Sequence, residues 1–275
     1  MTVVVKIGGA RAVDPEGALA DVAELVADGE SVVVVHGGST AVDETLERMG
    51  MEPEYVETPS GVVGRFTDAE TRDVFEMVFG KLNMDLVAQL QTLGVDALGL
   101  NGPDGRLFEG PRKSAVRVVE DGKRKIRRGD HSGTIESVNA DLLELLLAEG
   151  YTPVVSVPML AEDGTLVNSD ADRAAAAVAG ALGGTLVELT DVAGIYADPE
   201  DPETRFDRVE TPESFAAVED AAEGFMGRKV MAAQEALEGG ASAVIVADAN
   251  ADRPISAALD GNGTTITPAA LGEDE

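Results

Sequence analysis

The sequence of 275 residues contains no cysteine and no tryptophan. The absence of cysteine excludes disulfide-stapled scaffolds, zinc sites built on thiolates, iron–sulfur clusters and thiol catalysis. No apolar run approaches the roughly 18 residues that a membrane-spanning helix requires, and residues 1–9 lack the features of a signal peptide. We therefore expect a cytoplasmic protein that does not enter a membrane.

Basic side chains are scarce: 21 Lys and Arg stand against 51 Asp and Glu, for a formal net charge of -30. Hydrophobic residues make up 44% of the chain, too many for an acidic disordered protein, so we expect the charge on a folded surface. We interpret the excess as adaptation to a high-salt cytoplasm, where screening weakens self-repulsion. Unfolding in low salt is then expected. Nucleic-acid binding by this surface is not expected.

The first forty residues alternate between β-branched runs, glycine pairs and helical patterns. Residues 3–7 and 31–35 are apolar runs that end in Gly8-Gly9 and His36-Gly37-Gly38, and apolar residues recur with helical spacing over 15–27. Ser39 or Thr40 could cap the following helix. This rhythm predicts an α/β protein with a parallel sheet covered by helices.

The same reasoning places further elements along a single domain, residues 1–275, whose two halves could face each other as lobes. We predict helices near 68–79, 81–93, 135–148, 171–182 and 226–238, strands near 97–100, 153–157, 185–189 and 243–246, a hairpin pairing 116–119 with 123–127 through Asp121-Gly122, and a short hairpin at Asp163-Gly164.

Glycine turns at the carboxyl ends of parallel strands can offer backbone N–H groups to phosphate or carboxylate oxygens. A glycine after a strand is more often only a turn, and neither the P-loop nor the Rossmann fingerprint is present. Lys6 is more informative, because a charge within an apolar strand is costly unless it is paired or reaches the mouth of the sheet. The alternative is a lysine that extends from the strand end to water.

Several polar segments have both a structural and a functional interpretation. Residues 168–173 could simply cap the Ala-rich helix, and they lack the glycine and glutamate of an EF-hand loop. Met226 opens a late helix and places Lys229 near its positive end, which favours a bound anion. His36 is interpreted as a hydrogen-bonding loop residue and not as a general base, and no histidine spacing suggests zinc.

Taken in chain order, six segments resemble the amino acid kinase family, in its acetylglutamate kinase branch. They are Val5-Lys6-Ile7-Gly8-Gly9, Val35-His36-Gly37-Gly38, Gly64-Arg65-Phe66-Thr67, Asn168-Ser169-Asp170-Ala171-Asp172, Leu189-Thr190-Asp191-Val192-Ala193-Gly194 and Met226 to Val230. The resemblance implies a three-layer αβα sandwich with a mainly parallel central sheet. It also implies an amino-acid lobe over 1–184 and an ATP lobe over 185–275.

The resemblance further implies transfer of the ATP γ-phosphoryl group, with Mg²⁺, to a side-chain carboxylate. Lys6 and Lys229 would neutralise the transferring group, and Asp172 would orient both lysines. The remaining roles follow the matched motifs: Gly8, Gly9, Gly37 and Gly38 toward phosphates or the attacking carboxylate; Arg65 and Asn168 toward the backbone end of the amino acid; Asp191, Gly194 and Tyr196 toward the nucleotide.

Residues 112–128 hold eight of the 21 basic residues and only two acidic ones, in an otherwise acidic chain. One interpretation is that they pair with acidic neighbours of the same chain. The other is a docking patch for an acidic partner. The run resembles kinases whose substrate is tethered to an acidic amino-group carrier protein of the LysW type. The candidate docking residues are Arg112, Lys113, Lys123, Arg124, Lys125, Arg127 and Arg128.

On this interpretation the substrate is carrier-linked glutamate or 2-aminoadipate, in arginine or lysine biosynthesis. The alternatives are a kinase of free N-acetylglutamate and, from another class, a non-catalytic sensor of ATP or amino acids. Retention of both lysines and Asp172 argues against the sensor, because sensing does not need neutralisation of a transition state. The resemblance also implies a homodimer joined through the substrate lobes. No long N-terminal helix supports arginine-inhibited hexamers.

Overall fold

The computed structural model describes residues 1–8, 15–59, 61, 63–120, 123–222 and 224–272. Two predicted features, Gly9 and the Asp121-Gly122 turn, lie outside these residues. The helices are α1 (Pro15–Ala27), α2 (Ser39–Arg48), α3 (Ala69–Thr92), α4 (Ala140–Ala148), α5 (Ala171–Leu182), α6 (Pro212–Ala221), α7 (Gly224–Glu238) and α8 (Pro254–Leu259). None of these described helices is long and apolar enough to cross a membrane.

The strands form one large sheet and three small ones. They are β1 (Thr2–Ile7), β2 (Ser31–His36), β3 (Tyr55–Glu57), β4 (Val63–Arg65), β5 (Ala97–Asn101), β6 (Phe108–Gly110), β7 (Arg112–Glu120), β8 (Lys123–Gly133), β9 (Ser137–Val138), β10 (Thr152–Ser156), β11 (Met159–Ala161), β12 (Leu166–Val167), β13 (Thr185–Thr190), β14 (Arg208–Val209), β15 (Ala243–Asp248) and β16 (Thr264–Ile266).

The large sheet has eight strands in the order β14-β16-β15-β13-β1-β2-β10-β5. The six strands from β15 to β5 are parallel, and β16 joins antiparallel to β15. β1 lies at the centre, with β2 on one side and β13 on the other. The carboxyl ends of the parallel strands therefore share one edge, which is where α/β folds bind ligands.

Alternate side chains of the central strands enter two separate hydrophobic clusters. Val4 belongs to one cluster, together with residues of α5 and α7. Val3 and Val5 belong to the other, together with residues of α1 and α8. Because strand side chains point alternately to the two faces, each face is covered by its own helices. The predicted αβα sandwich is confirmed.

Helix α3 joins the two outer layers. The sequence pattern predicts two helices that meet near Gly80, but one helix of 24 residues runs through it. Val74 and Phe79 pack in one cluster, whereas Leu86 and Leu90 pack in the other. An internal glycine costs only about 1 kcal/mol relative to alanine, which this packing outweighs. The helix therefore passes around the β5 edge of the sheet.

Other predicted bounds agree closely with the structure, except near α4. The helices predicted over 15–27 and 171–182 are α1 and α5. The helix predicted over 135–148 begins only at Ala140, because Asn139 caps it and residues 137–138 form the short strand β9. Gly38, and neither Ser39 nor Thr40, occupies the N-cap position of α2.

Asp21 of α1 caps helix α8 across the interface between them. Its carboxylate accepts hydrogen bonds from the backbone N–H groups of Ile255 (2.7 Å) and Ser256 (2.8 Å), and from the Ser256 hydroxyl (2.5 Å). Helix α8 has no side-chain cap of its own, because its N-cap residue is Arg253 in the left-handed region (φ +50°). Asp21 is buried, so these bonds are protected from water.

We expect Asp21→Ala to lower the free energy of unfolding by about 2–3 kcal/mol, because it leaves buried donors of α8 unsatisfied. Chemical denaturation in high salt measures this loss. Glu24→Ala is the control, since Glu24 forms only an exposed ion pair with Arg253, a kind worth at most about 1 kcal/mol. A loss no larger than that of the control would contradict the capping role.

Candidate active site

Lys6 lies in the most buried part of the sheet, one residue before the end of β1. It aligns with Val35 of β2 and Glu188 of β13. Only 7% of the residue is exposed, so its charge is withdrawn from water and needs a partner. Its side chain shares the face of Val4, toward helices α5 and α7.

Four charged side chains from four elements meet on this face. Lys6 Nζ lies 2.5 Å from Asp172 Oδ1 at the start of α5, and Lys229 Nζ of α7 lies 3.4 Å from the same oxygen. Lys229 Nζ also lies 3.6 Å from Glu188 Oε2. One aspartate therefore contacts both lysines, and its orienting role stays a prediction. We call Lys6, Asp172, Glu188 and Lys229 the charge cluster.

The charge cluster keeps Lys229 positive and Asp172 ionised. Burial raises the pKa of Asp172, but Lys6 and Lys229 outweigh it and hold that pKa at about 2. Burial lowers the pKa of Lys229, but Glu188 and Asp172 outweigh it and raise the pKa. Burial also raises the pKa of Glu188, to about 7, against the opposing effect of Lys229. The cluster thus combines two lysines with an ionised aspartate and a titratable glutamate.

Glu188 is a site residue that the sequence interpretation missed. The sequence does contain a signal for it: Glu188 is a charged residue within the apolar strand β13, as Lys6 is within β1. The prediction that Lys229 lies near the positive end of its helix is wrong. Helix α7 begins at Gly224, so Lys229 lies beyond its first turn, and carboxylates instead of a helix end face its ammonium group.

Gly8 and Gly37-Gly38 follow β1 and β2 at the same edge, and Gly37 N–H donates to Ile7 O (3.1 Å). Gly38 is closely packed against α3. A Cβ there would lie 2.6 Å from Leu82 Cδ1 and 3.2 Å from the Phe79 ring. These glycines therefore lie at the ends of the two strands next to Lys6, where the predicted phosphate or carboxylate contacts would form.

Arg65 is held beside the second glycine loop. Its guanidinium pairs with Asp43 of α2, donates to Ser39 O (3.1 Å) and donates to the Tyr55 hydroxyl (2.9 Å). Partial burial raises the pKa of Tyr55 most, and the hydrogen bond to Asp43 raises it further, to about 12. Arg65 is thus fixed by its own chain, and a substrate carboxylate would compete with Asp43 for it.

Asn168 is connected to the Arg65 segment through Thr67. Its side-chain amide donates to Thr67 Oγ1 (3.1 Å), and Thr67 N–H donates to the buried Asp130 (3.1 Å). Four residues beyond Asn168, Asp172 enters the charge cluster. Asn168 thus contacts the segment of Arg65 and lies four residues before Asp172 in the chain.

The predicted nucleotide residues lie after β13, on the other side of β1. Asp191 is exposed, with its carboxylate accepting from Thr190 Oγ1 (3.1 Å). Gly194 has φ +147°, and a Cβ there would meet Thr264 Oγ1 at 2.7 Å. Tyr196 forms an isolated antiparallel β-bridge with Arg205 through the backbone. No described contact joins these residues to the charge cluster, so their nucleotide role remains a prediction.

The basic hairpin has two different faces. The predicted pairing is confirmed, with Val116 opposite Arg127 and Val118 opposite Lys125. Val118 is fully buried and Arg127 stacks 4.2 Å over Phe66, so this face turns to the body of the protein. The outward face carries Arg117, Arg124, Ile126 and Arg128, all exposed.

The predicted docking residues therefore divide into two groups. Arg127 pairs with Glu54, and Arg112 donates to Asp130 O (3.1 Å), so both serve their own chain as the alternative interpretation expected. Lys113, Lys123, Arg124, Lys125 and Arg128 are exposed. Arg117 was absent from the docking set, although strand alternation places it beside Arg124 and Arg128.

His36 is buried, and it is the last residue of strand β2 instead of the loop residue that the sequence predicted. It stacks on Phe79, its Nδ1 lies 3.0 Å from Gly37 O, and its Nε2 lies 3.3 Å from Asn83 Nδ2. Burial lowers its pKa to about 4, although the Gly37 hydrogen bond opposes this. Neither ring nitrogen is available for proton transfer to a substrate.

Acid should therefore destabilise the protein through His36. Below pH 6.5 the unfolded chain protonates this histidine while the folded one does not, so stability falls until about pH 4, by about 3 kcal/mol. We expect His36→Gln to lose less unfolding free energy than the parent between pH 7 and pH 4. His131→Gln is the control, and equal pH dependence of His36→Gln and the parent would contradict the argument.

The geometry can be compared with known proteins. The model of the amino acid kinase family matches residues 1–248. The chain belongs to the amino acid kinase family. The relatives described next are similar to this chain over 96% of its length, so the six sequence motifs lie within one continuous alignment.

Three relatives share this family. The LysW-aminoadipate kinase of Deinococcus radiodurans is 45% identical, over 96% of this chain and 91% of that protein. The LysW-aminoadipate kinase of Thermus thermophilus is 44% identical, over 96% and 99%. The acetylglutamate kinase of Methanopyrus kandleri is 39% identical, over 96% and 99%. These matches confirm the predicted family and branch, and that this amino acid kinase is an enzyme.

The fold of a solved structure also agrees. The N-acetylglutamate synthase of Neisseria gonorrhoeae superposes with a TM-score of 0.77 at 24% identity. The match covers 97% of this chain and 59% of that one, so the synthase is considerably longer. At this identity the likeness concerns the fold alone.

Proposed function

We propose that this amino acid kinase transfers the γ-phosphoryl group of ATP to the side-chain carboxylate of glutamate or 2-aminoadipate. The α-amino group of that substrate is linked to an acidic carrier protein. The product is an acyl phosphate for lysine or arginine biosynthesis. The observation that carries the proposal is the pair of buried lysines on Asp172, at the edge of the sheet beside two glycine loops.

The chemistry requires little more than this arrangement. A carboxylate nucleophile is ionised at neutral pH, so no general base is needed, and the neutral, buried His36 agrees with that. Phosphoryl transfer instead needs positioning and neutralisation of charge in an in-line transition state. Lys6 and Lys229 would supply the charge, and the backbone of Gly8 and Gly37-Gly38 would supply directed N–H groups.

Magnesium would enter with the nucleotide. In the described part of the chain, no three His, Asp or Glu side chains are placed to share a metal ion. Mg²⁺ commonly keeps water and substrate phosphates among its ligands, so the phosphates of ATP are its natural carriers here. The metal would add positive charge at the phosphates, while the protein supplies the two lysines.

The two substrates would approach from opposite sides of β1. Residues 1–184 would form the amino-acid lobe, because Arg65 and Asn168 are joined there through Thr67. Residues 185–275 would form the ATP lobe, with Asp191, Gly194 and Tyr196 after β13. Asp172 and Lys229 come from different lobes and share one ion pair, so the phosphoryl group would transfer where the lobes meet.

The outward face of the hairpin supports carrier docking. Arg117, Arg124 and Arg128 are exposed together on a protein of net charge -30, and Ile126 among them is 66% exposed. A cluster of cations around an apolar side chain is suited to an acidic protein surface. At short range such pairs persist in salt better than distant ones.

We expect the triple variant Arg117→Glu, Arg124→Glu, Arg128→Glu to raise the KM for carrier-linked substrate about tenfold or more, because like charges would then face each other. Steady-state kinetics at the lowest salt that preserves the fold measure this. The KM for ATP should stay unchanged. Arg208→Glu, at an exposed arginine of β14, is the matched control. An unaltered KM for the carrier would exclude docking on this face.

One assay decides between carrier-linked and free substrate. Kinase activity in high salt is compared with carrier-linked aminoadipate, carrier-linked glutamate and free N-acetylglutamate. The acetylglutamate kinase relative at 39% identity makes the free substrate the second candidate. Activity on free N-acetylglutamate alone would refute the carrier, and no phosphoryl transfer to any of the three would refute the kinase proposal.

We also propose that the enzyme is a homodimer joined through the amino-acid lobe. Large apolar side chains are exposed along α3 and the adjoining edge of the sheet: Met77 (58%), Met84 (67%), Leu93 (48%) and Leu98 (37%). Met77 and Met84 are seven residues apart and so lie on one helix face. Light scattering tests the proposal, and a monomer at micromolar concentration would contradict it.

A further inference from the structure

Glu188 is the group of the charge cluster that phosphoryl transfer does not explain. Its side chain is completely buried, and neither carboxylate oxygen accepts a hydrogen bond from any described residue. Its one close ion pair is the 3.6 Å approach to Lys229 Nζ. Buried carboxylates are normally hydrogen-bonded, because an ionised one without such bonds is costly. A protonated form is therefore accessible to this group.

The charges around Glu188 come from three neighbouring elements. Lys6 of β1 and Lys229 of α7 are positive, and Asp172 of α5 is negative. Asp170 of α5 lies further out, where it caps its own helix. On the remaining side, β15 aligns the uncharged Val246 with Glu188.

The protonation state of Glu188 sets the net charge of the cluster. With both carboxylates ionised, the two lysines are balanced and the cluster is neutral. With Glu188 protonated, the cluster carries one net positive charge. Nucleotide phosphates would be attracted to the second state and repelled by the Glu188 carboxylate in the first. Binding of phosphate and binding of a proton at Glu188 must therefore favour each other.

We propose that Glu188 is a proton-linked positioning residue. As a carboxylate it holds Lys229 before the nucleotide binds, and it takes up one proton from solvent when nucleotide phosphates become the partners of Lys229. This inference rests on the proposed ATP site and adds a coupled proton that the phosphoryl transfer does not require. Its pKa of about 7 lets the switch occur near neutral pH.

A purely structural role makes a different prediction. If Glu188 were only a fixed counter-ion, it would stay ionised in both states, and nucleotide binding would move no proton at this residue. If it were always protonated, binding would again move none. The number of protons taken up with the nucleotide therefore separates these roles directly.

The experiment is calorimetric titration of the full-length enzyme with AMP-PNP and Mg²⁺ at pH 8 in Tris and in HEPES. These buffers differ in ionisation enthalpy, so the difference in heat counts protons. We expect the parent to take up about half a proton or more beyond the uptake of Glu188→Gln. The dissociation constant of the parent should also rise roughly tenfold from pH 7 to pH 8.5, unlike that of Glu188→Gln.

Glu235→Gln is the matched control, because it removes a carboxylate of α7 that pairs with Arg173 outside the cluster. Its proton uptake should equal that of the parent. Glu188→Asp keeps a titratable carboxylate and should retain part of the uptake. Equal uptake by Glu188→Gln and the parent would overturn the inference while AMP-PNP still binds. Absence of AMP-PNP binding to the folded parent would overturn the ATP site itself, and this inference with it.

Discussion

Replacement of either Lys6 or Lys229 by alanine should lower kcat by about 10²–10³-fold. Each substitution removes one positive charge that would stabilise the phosphoryl group in the transition state. The structure explains why neither can be replaced by a neighbour. Both ammonium groups lie within 3.4 Å of one Asp172 oxygen, so each has a fixed position. The KM for ATP should change less than kcat, since the charge matters most in the transition state.

Steady-state kinetics in high salt measure the loss, and circular dichroism shows whether each variant folds. Lys6→Met and Lys229→Met keep most of the side-chain volume and test whether a cavity, instead of lost charge, reduces the rate. Lys81→Ala is the control, because Lys81 is exposed on α3 and pairs only with Asp85 there. Turnover near the parental rate in both alanine variants would refute the catalytic assignment.

Asp172→Asn should combine a lower rate with a lower stability. Its carboxylate separates two buried cations, and removal of one partner from such a group typically costs about 3–5 kcal/mol. The pKa of about 2 points the same way, since it lies well below the ordinary value of 3.8. We expect kcat to fall about 10²-fold, because the lysines would repel each other and leave their positions.

The pH dependence of Asp172→Asn provides an independent check. A lowered folded-state pKa means that the stability from Asp172 is complete above pH 3.8 and is lost as the pH falls toward 2. The loss of unfolding free energy in the variant should thus be the same at pH 8 and pH 9, which lie above the ordinary pKa of Asp172 and above the pKa of about 7 of Glu188. Asp170→Asn is the control at the helix cap. A variant with parental stability and parental kcat would show that Asp172 does not orient the lysines.

The central strands of the sheet could be predicted because they are β-branched apolar runs, whose side chains must be buried on both faces of the sheet. Lys6 was recognised for the same reason, as a charge within such a run. Glu188 carries an equal signal in β13, but no glycine pair follows it to direct attention there. Its proximity to Lys229 depends on the packing of α5 and α7 against one face, which spacing along the chain does not encode.

The hairpin shows a second limit. Its pairing follows from the turn and the alternating pattern, yet the sequence of β8 places basic residues on both faces. Which face turns inward is decided by Val118 and by the stacking of Arg127 on Phe66, both of them tertiary contacts. The merging of two predicted helices into α3 is likewise decided by the two clusters on which its halves pack.

The position of β1 at the centre of the sheet has a consequence for how the enzyme is made. Strand β1 (residues 2–7) has both of its neighbouring strands only after residues 185–190 have been synthesised. Lys6 likewise lies beside Lys229 only after α7 has been synthesised. Contacts of such long sequence separation slow folding and leave early chain segments exposed during synthesis. The charge cluster therefore forms only after nearly the whole chain is made, so that catalytic activity reports complete folding.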